Sequence, residues 1–269
     1  MSSGTAEAAI DALIEPLRRD PDSAAVLLDI DGTLAPIAGL PEDVEVPAAT
    51  LALVERLVAG YALLACVSGR RVADARKLVP VDGVHYAGNH GFERMAPGDA
   101  EPEPDPAVAG WEHAASDLLG EFDRDEITDA GLRLEDKGPI QAIHWRGSPS
   151  PESAEALARR IGERAESEGL IAHAGRMIVE LRPAVEVDKG TAVRGLLGDR
   201  YLSALYGGDD RTDLDAFAAL ESLRAEGSLA AIARVGVGSP DGPEDLAERS
   251  DLLVDGVEGF TAVLEALAR

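Results

Sequence analysis

The sequence predicts an α/β protein, a parallel-sheet core interrupted by an inserted α+β segment, on three observations. Short Val- and Leu-rich runs alternate with helix-forming stretches, the order that builds a parallel sheet with crossover helices. Four polar clusters follow or flank the predicted core strands: Asp29/Asp31, Ser68-Gly69-Arg70, Asp188-Lys189-Gly190, and the run from Gly207 to Asp213. Between the second and third of these, a Pro-rich acidic stretch opens a segment with a different rhythm.

Residues 5–18 read as an amphipathic helix leading into the first strand, Ala24–Leu28, which is apolar, free of turn residues and therefore central. Pro47 opens a helix over 46–59. The second strand is Tyr61–Val67, and Ser68-Gly69-Arg70-Arg71 opens the next helix. The third strand, 84–87, is closed by Gly88-Asn89-His90-Gly91. After the Pro-rich stretch 96–106 come a helix near 107–120, strands near 131–136 and 140–146, a helix at 151–168, and strands near 170–174 and 176–181. This α-β-β-α-β-β order implies an antiparallel sheet with two helices on one face. From Asp188 the α/β alternation returns: a helix after Lys189, a strand at 201–206, a helix from Asp210, a strand at 229–235, and a last strand and helix. The expected division is 1–103 for the first part of the core, 104–182 for the insert and 183–269 for the second part of the core.

Composition narrows the function. Of 269 residues, 45% are apolar, enough for a sizeable core, and only 4% are aromatic, too few for stacking platforms. A formal charge of −25 argues against nucleic acid and against anionic membranes, both of which need basic patches, and reads as a soluble acidic surface. Cys66 is the sole cysteine, so no internal disulfide forms, and its strand setting makes it a core thiol. Residues 1–17 lack a basic segment followed by an apolar core, and no apolar run reaches the roughly 20 residues of a membrane span. A soluble, cytoplasmic monomer is the expectation. Lysine occurs only at 77, 137 and 189, which favours specific roles for the few ammonium groups kept.

The chemistry concentrates at strand ends, where open α/β sheets bind ligands. Asp29 and Asp31 follow the first strand, and one intervening residue sends both side chains to one face of an extended segment. Carboxylates that close shift each other's pKa unless a cation or shared proton compensates, so the pair suits metal-assisted phosphoryl or proton transfer. Ser68 leads into a helix whose free N–H groups favour a phosphate, and Lys189 points a charge at the same anion. Asp209, Asp210 and Asp213 add hard oxygen donors suited to Mg²⁺. Singly, each has a plainer explanation: a solvated Asp turn, Ser68 or Asp210 as a helix N-cap, Lys189 as a surface charge. Jointly, at strand ends and in this order, coincidence is hard to sustain.

The pattern D-x-D-G-T, then S-G, then a lysine, then G-D-D-x-x-D is similar to that of the haloacid-dehalogenase-like phosphatases. Gly88-Asn89-His90-Gly91, Leu134-Glu135-Asp136-Lys137-Gly138, His144-Trp145-Arg146, Gly175-Arg176, Glu180-Leu181-Arg182-Pro183, Asp188-Lys189-Gly190 and the run Gly208–Phe217 narrow the resemblance to the trehalose-6-phosphate phosphatases. It covers residues 24–217, and Trp145 stands where a tyrosine is usual. The resemblance implies a Rossmann-like core with an inserted cap and hydrolysis of trehalose 6-phosphate through an aspartyl-phosphate. It assigns Asp29 as nucleophile and Asp31 as acid and then base, with Ser68 and Lys189 holding phosphoryl oxygens. Mg²⁺ would lie on Asp29, the Asp31 carbonyl and Asp209, with Asp213 nearby. Glu135, Lys137, Arg146 and Glu180 would contact the disaccharide, while Arg70 and His90 line the pocket beside Gly69 and Asn89.

Plainer explanations remain for the cap residues: Glu135 and Lys137 as an exposed edge pair, Arg146 as a surface strand end. His113, His144 and His173 read as structural or exposed, and Asp215 as capping or salt-bridge material. Rival functions are a phosphatase of the same superfamily acting on another sugar phosphate such as sucrose phosphate, a phosphomutase, a phospho-acceptor receiver module and a non-catalytic trehalose-phosphate sensor. A receiver lacks both the insert and an acid two residues beyond its acceptor, and a sensor would have lost a catalytic residue.

Overall fold

In the computed structural model, which describes residues 3–39, 41–175, 177–240 and 242–269, alternate residues of Ala24–Leu28 (β1) enter two different apolar cores. Ala24, Val26 and Leu28 join one core and Ala25 and Leu27 the other, and all five are buried. That is the signature of a strand covered by helices on both faces. The first core takes its helical side from Ile10, Ile14 and Leu17 of Ser3–Arg19, Leu53 and Leu57 of Ala48–Gly60, and Phe260, Val263 and Leu264 of Gly256–Leu267. The second takes Val193 and Leu197 of Lys189–Leu197 with Leu214, Phe217 and Leu220 of Asp213–Ala225. Cys66 is buried in the first core, and burial pushes its thiol up, as befits a packing residue.

The chain divides into Met1–Glu103 with Val187–Arg269, and Pro104–Glu186. In the first unit eight strands pair in the order β12 (Leu252–Asp255), β11 (Ala231–Gly238), β10 (Ser203–Gly208), β1, β2 (Leu63–Val67), β3 (His85–Gly88), β4 (Glu93–Met95) and β5 (Glu103–Pro104). From β12 to β3 every pairing is parallel; β4 runs antiparallel to β3. Strands β1 to β3 spread to one side of β1 and β10 to β12 to the other, so the order reverses between β1 and β10. The crevice beyond such a reversal is where open sheets bind ligands. Leu28 is paired with both Gly207 and Cys66, so Asp29, Asp209 and Ser68 leave the same edge.

Two local expectations are corrected in this unit. Strands β4 and β5, absent from the sequence reading, add an edge beyond β3; three and two residues are too few for a periodicity to register. The helix after β2 starts at Val72, four residues past Ser68, so Ser68 and Gly69 lie in a loop and not at a helix N-terminus. The first helical N–H is instead met by Glu93, whose Oε1 accepts from Val72 N at 2.6 Å.

In the second unit β6 (Arg133–Lys137), β7 (Ile140–His144), β9 (Ile178–Pro183) and β8 (Leu170–Gly175) form an antiparallel sheet in that order. Ile143, Val179 and Leu181 pack on Leu118 of Ala114–Leu119 and Leu157 and Ile161 of Pro151–Ser167, with Trp145 in the same core. The single helix expected near 107–120 is broken: a 3-10 turn at Pro106–Val108 and Gly110 at φ +87 precede Ala114–Leu119. A third short helix, Arg124–Asp129, was not anticipated, having only Ile127 as a buried anchor. No described helix is long and apolar enough to cross a membrane.

Candidate active site

Beyond β1 the chain turns sharply. Ile30 O accepts from the backbone N–H groups of Leu34 and Ala35 at 2.9 Å, and Gly32 N donates to Ala35 O at 2.8 Å. Gly32 sits at φ +79, and a Cβ there would lie 2.0 Å from Asp209 Oδ2, so only glycine lets the β1 loop approach the β10 loop this closely. Asp29 and Asp209 are thereby drawn together, each under 5% exposed.

Lys189 is the hub. As the first residue of Lys189–Leu197 it follows Asp188, which forms a capping box with Thr191. Its buried Nζ donates to Asp29 Oδ1 at 2.8 Å and to Asp213 Oδ1 at 2.7 Å. Burial lowers its pKa, but the facing carboxylates of Asp213 and Asp29 outweigh this and leave it raised well above the ordinary lysine value. Asp213 is held by four donors: Lys189 Nζ and Tyr206 OH (2.6 Å) on Oδ1, and the backbone N–H groups of Asp209 and Asp210 (both 2.9 Å) on Oδ2. These fill the carboxylate's acceptor sites. Asp213 thus positions the lysine and the loop that carries Asp209. Asp210 accepts from Thr212 N at 2.8 Å and Thr212 Oγ1 at 2.7 Å, closing the turn before Asp213–Ala225.

The carboxylates differ sharply in proton affinity. Burial, with Asp213, Asp209 and Asp210 adding repulsion against the attraction of Lys189, raises Asp29 well above the ordinary range. The sequence pairs Asp29 with Asp31, but the carboxylates that raise Asp29 are these three on and beyond β10. Burial, then Asp213 and Asp210, push Asp209 up to about 8. Asp210 is raised by burial, yet Lys189 and the Thr212 hydrogen bond win and bring it to about 2.

Asp29, Asp209 and Asp213 offer oxygens within 4.8 Å of one another, all three buried. Three carboxylates facing one ammonium leave excess negative charge in a place where burying it is costly. Among the described residues no donor reaches Asp29 Oδ2 or either carboxylate oxygen of Asp209. Open, hard, acidic oxygens around a charge deficit fit a small divalent cation.

A stability prediction follows from Asp209. Its folded pKa lies above the unfolded carboxylate value, so the ionised form is the disfavoured one. The resulting penalty is absent below about pH 4, grows as pH rises toward 8 and is complete above it. In chelator-treated protein the melting temperature is expected to fall between about pH 5 and pH 8, and Asp209→Asn to flatten that fall. A pH-independent difference between the two proteins would contradict it.

Around Asp31 a second pair forms. Arg70 donates from Nε to Oδ2 and from Nη2 to Oδ1, both at 2.7 Å, a two-pronged fork across 39 residues of sequence. Buried Ser68 accepts from Arg70 N at 3.2 Å through Oγ. The Gly88–Gly91 turn packs on this loop: His90 N donates to Ser68 O at 3.0 Å and Asn89 N to Arg70 O at 2.7 Å. A Cβ on Gly69 would meet the His90 ring at 2.7 Å, which explains the glycine. Asn89 and His90 hold φ of +50 and +59, a strained pair of non-glycine residues of the kind that clusters at working sites.

In the second unit the register sorts the expected sugar contacts. Glu135, Ala142, Glu180 and His173 fall in one cross-strand row, while Lys137 pairs with Ile140 and Arg182 with Ile171. By the twofold alternation of strands these belong to one face, opposite the one bearing Ile143 and Leu181. Glu180 is buried between two cations: Lys137 Nζ donates to its Oε1 at 2.8 Å and Arg182 Nε to its Oε2 at 3.0 Å. Glu135 Oε2 meets His144 Nε2 at 2.8 Å. Arg146 is exposed in the turn after β7, and Arg176 lies outside the described residues. The structure therefore gathers Asp29, Asp31, Ser68, Gly69, Arg70, Asn89, His90, Lys189, Asp209 and Asp213 at one sheet edge. In the other unit it places Glu135, Lys137 and Glu180 on one sheet face. Tyr206, Arg182 and the His144 bond escaped the sequence reading. A tyrosine in a buried strand signals a needed hydroxyl partner, but not which one.

The family model described as trehalose-phosphatase matches residues 27–250. The chain is 34% identical over 209 residues to the trehalose-phosphate phosphatase of Mycobacterium avium, covering 76% of this chain and 53% of that one. It is 39% identical over 214 residues to an uncharacterized glycosyl hydrolase of Mycobacterium tuberculosis, covering 73% of this chain and 15% of that one. The chain thus spans about half, or much less, of the length of these curated relatives. Among solved structures, a trehalose-6-phosphate phosphatase related protein superposes with TM-score 0.73 at 25% identity, covering 91% of this chain and 96% of the other. The C-terminal domain of the Candida albicans trehalose-6-phosphate phosphatase shares the fold, with TM-score 0.74 at 20% identity and 96% coverage of both chains.

Proposed function

Since the chain belongs to the trehalose-phosphatase family, we propose that it hydrolyses trehalose 6-phosphate to trehalose and inorganic phosphate through an aspartyl-phosphate on Asp29. The observation that carries this reading is the buried Lys189 shared between Asp29 Oδ1 and Asp213, which leaves Asp29 Oδ2 without a donor among the described residues. Asp29 attacks phosphorus through that oxygen, and the bond from phosphorus to the sugar oxygen breaks as the new one forms. Asp31 hands a proton to the departing sugar oxygen, then accepts one from the water that attacks the phosphoryl group, releasing phosphate and restoring Asp29. Arg70 occupies both Asp31 oxygens, so it must free one before Asp31 can act. Two of the three Lys189 donors are committed, and the third is available to a phosphoryl oxygen alongside Ser68. Mg²⁺, held by Asp29, the Asp31 carbonyl and Asp209, would offset charge on nucleophile and phosphate; the four donors on Asp213 keep it for Lys189 instead.

Phosphate release from trehalose 6-phosphate tests the reading. It should stop on chelation and return with Mg²⁺; undiminished release in metal-free buffer would sink the proposal. Asp31→Asn should lower turnover of trehalose 6-phosphate by about 10²–10⁴-fold. The defect should be smaller with p-nitrophenyl phosphate, whose leaving group needs little acid help. A defect that ignores leaving-group quality would leave Asp31 without its proton-transfer role.

A further inference from the structure

Glu135 stands on β6 between two cations of the same face, Arg133 and Lys137. Left to itself, its carboxylate would be drawn along the strand toward either of them. It bends instead across to β7, where His144 Nε2 lies 2.8 Å from Oε2. The register makes this possible: His144 is paired with Arg133 and Ala142 with Glu135, so His144 and Glu135 are diagonal neighbours on one face, within reach of long side chains. The hydrogen bond to His144 is the largest influence on the Glu135 carboxyl and, against burial, holds it below the ordinary range. An ionised carboxylate only accepts, so Nε2–H is the donor in this hydrogen bond. Lys137 donates to Glu180 Oε1 and acts on Glu135 only as a nearby charge, a weaker influence than the His144 hydrogen bond.

We propose that His144 is a positioning residue for sugar recognition, holding the Glu135 carboxylate in the orientation that receives the disaccharide hydroxyls. The proposal rests on Glu135 being a sugar contact. Nothing in it touches phosphoryl transfer, so the signature is a split between substrates and between constants. His144→Phe should raise KM for trehalose 6-phosphate about tenfold with kcat nearly unchanged. Turnover of p-nitrophenyl phosphate, which carries no sugar hydroxyl, should stay at the wild-type value. Gln carries its amide nitrogen at about the reach of Nε2 and Asn does not, so His144→Gln should restore KM to within about twofold and His144→Asn should behave like the Phe variant.

Glu135→Ala is measured beside them, alone and combined with His144→Phe. If His144 works through Glu135, the double variant is no worse than Glu135→Ala alone. Wild-type KM in His144→Phe and His144→Asn, with Glu135→Ala impaired, would overturn the positioning role and leave the sugar contact standing. An unimpaired Glu135→Ala would instead bring down the sugar-contact reading of Glu135. Equal losses on both substrates with a lowered melting temperature, or failure of His144→Gln to differ from His144→Asn, would make His144 a packing residue and overturn the proposal.

Discussion

Asp29→Asn is expected to cut turnover of trehalose 6-phosphate by at least about 10⁴-fold while the protein stays folded. The amide is nearly isosteric but supplies no nucleophilic oxygen, and of the neighbouring carboxylates Asp213 is saturated by four donors and Asp31 is held by Arg70. The same substitution should raise the melting temperature of chelator-treated protein. Asp29 is a buried acid whose ionised form is disfavoured by burial and by three neighbouring carboxylates. Removing its charge relieves that repulsion and leaves an amide oxygen for Lys189 to donate to. Phosphate release within tenfold of wild type would remove Asp29 from the nucleophile's role, and a lower melting temperature would show that the Lys189 ion pair outweighs the repulsion.

Lys189→Met should be damaging in both respects. The side chain is 2% exposed and lies between Asp29 and Asp213, so its loss strands buried carboxylates, a change that typically destabilises by about 3–5 kcal/mol. It also withdraws the donor aimed at the transferring phosphoryl group, and losses of one such donor run to about 10²–10³-fold in kcat. Lys189→Arg should rescue neither, because a planar guanidinium cannot fill a pocket shaped for a compact ammonium with donors on two sides. Circular-dichroism melts and phosphate-release assays on the two variants check the two effects separately. Near-wild-type activity in Lys189→Arg would mean that charge alone, and not the geometry of the ammonium, is what the site requires.

How much of this was legible in the sequence varied with the kind of signal. The central strands were readable because both of their faces are buried, so Ala24–Leu28 and Leu63–Val67 are continuous apolar runs. The polar clusters at the strand ends were readable because a parallel sheet sends every strand's carboxyl end to one edge, so Asp29, Ser68 and Asp209 converge without any knowledge of side-chain contacts. Lys189 stood out from its scarcity. What stayed hidden depended on register or on very short elements. The Arg70 fork on Asp31 requires the β1 turn at Gly32, and Tyr206 finds Asp213 only once the loop after β10 has folded back through Asp209 and Asp210. The Glu135–His144 bond depends on a diagonal that any one-residue slip between β6 and β7 would abolish. Arg124–Asp129, six residues long and anchored by Ile127 alone, offers too little periodicity to be seen.

We propose phosphoryl transfer at the Asp29 sheet edge with selectivity for trehalose 6-phosphate. The most direct measurement is kcat/KM with Mg²⁺ for trehalose 6-phosphate beside sucrose 6-phosphate, glucose 6-phosphate and p-nitrophenyl phosphate. Polar sites built to bind particular hydroxyls reject analogues that lack them strongly, so trehalose 6-phosphate should lead every other substrate by about a hundredfold or more. Equal values across the four, or a clear lead for sucrose 6-phosphate, would contradict the account.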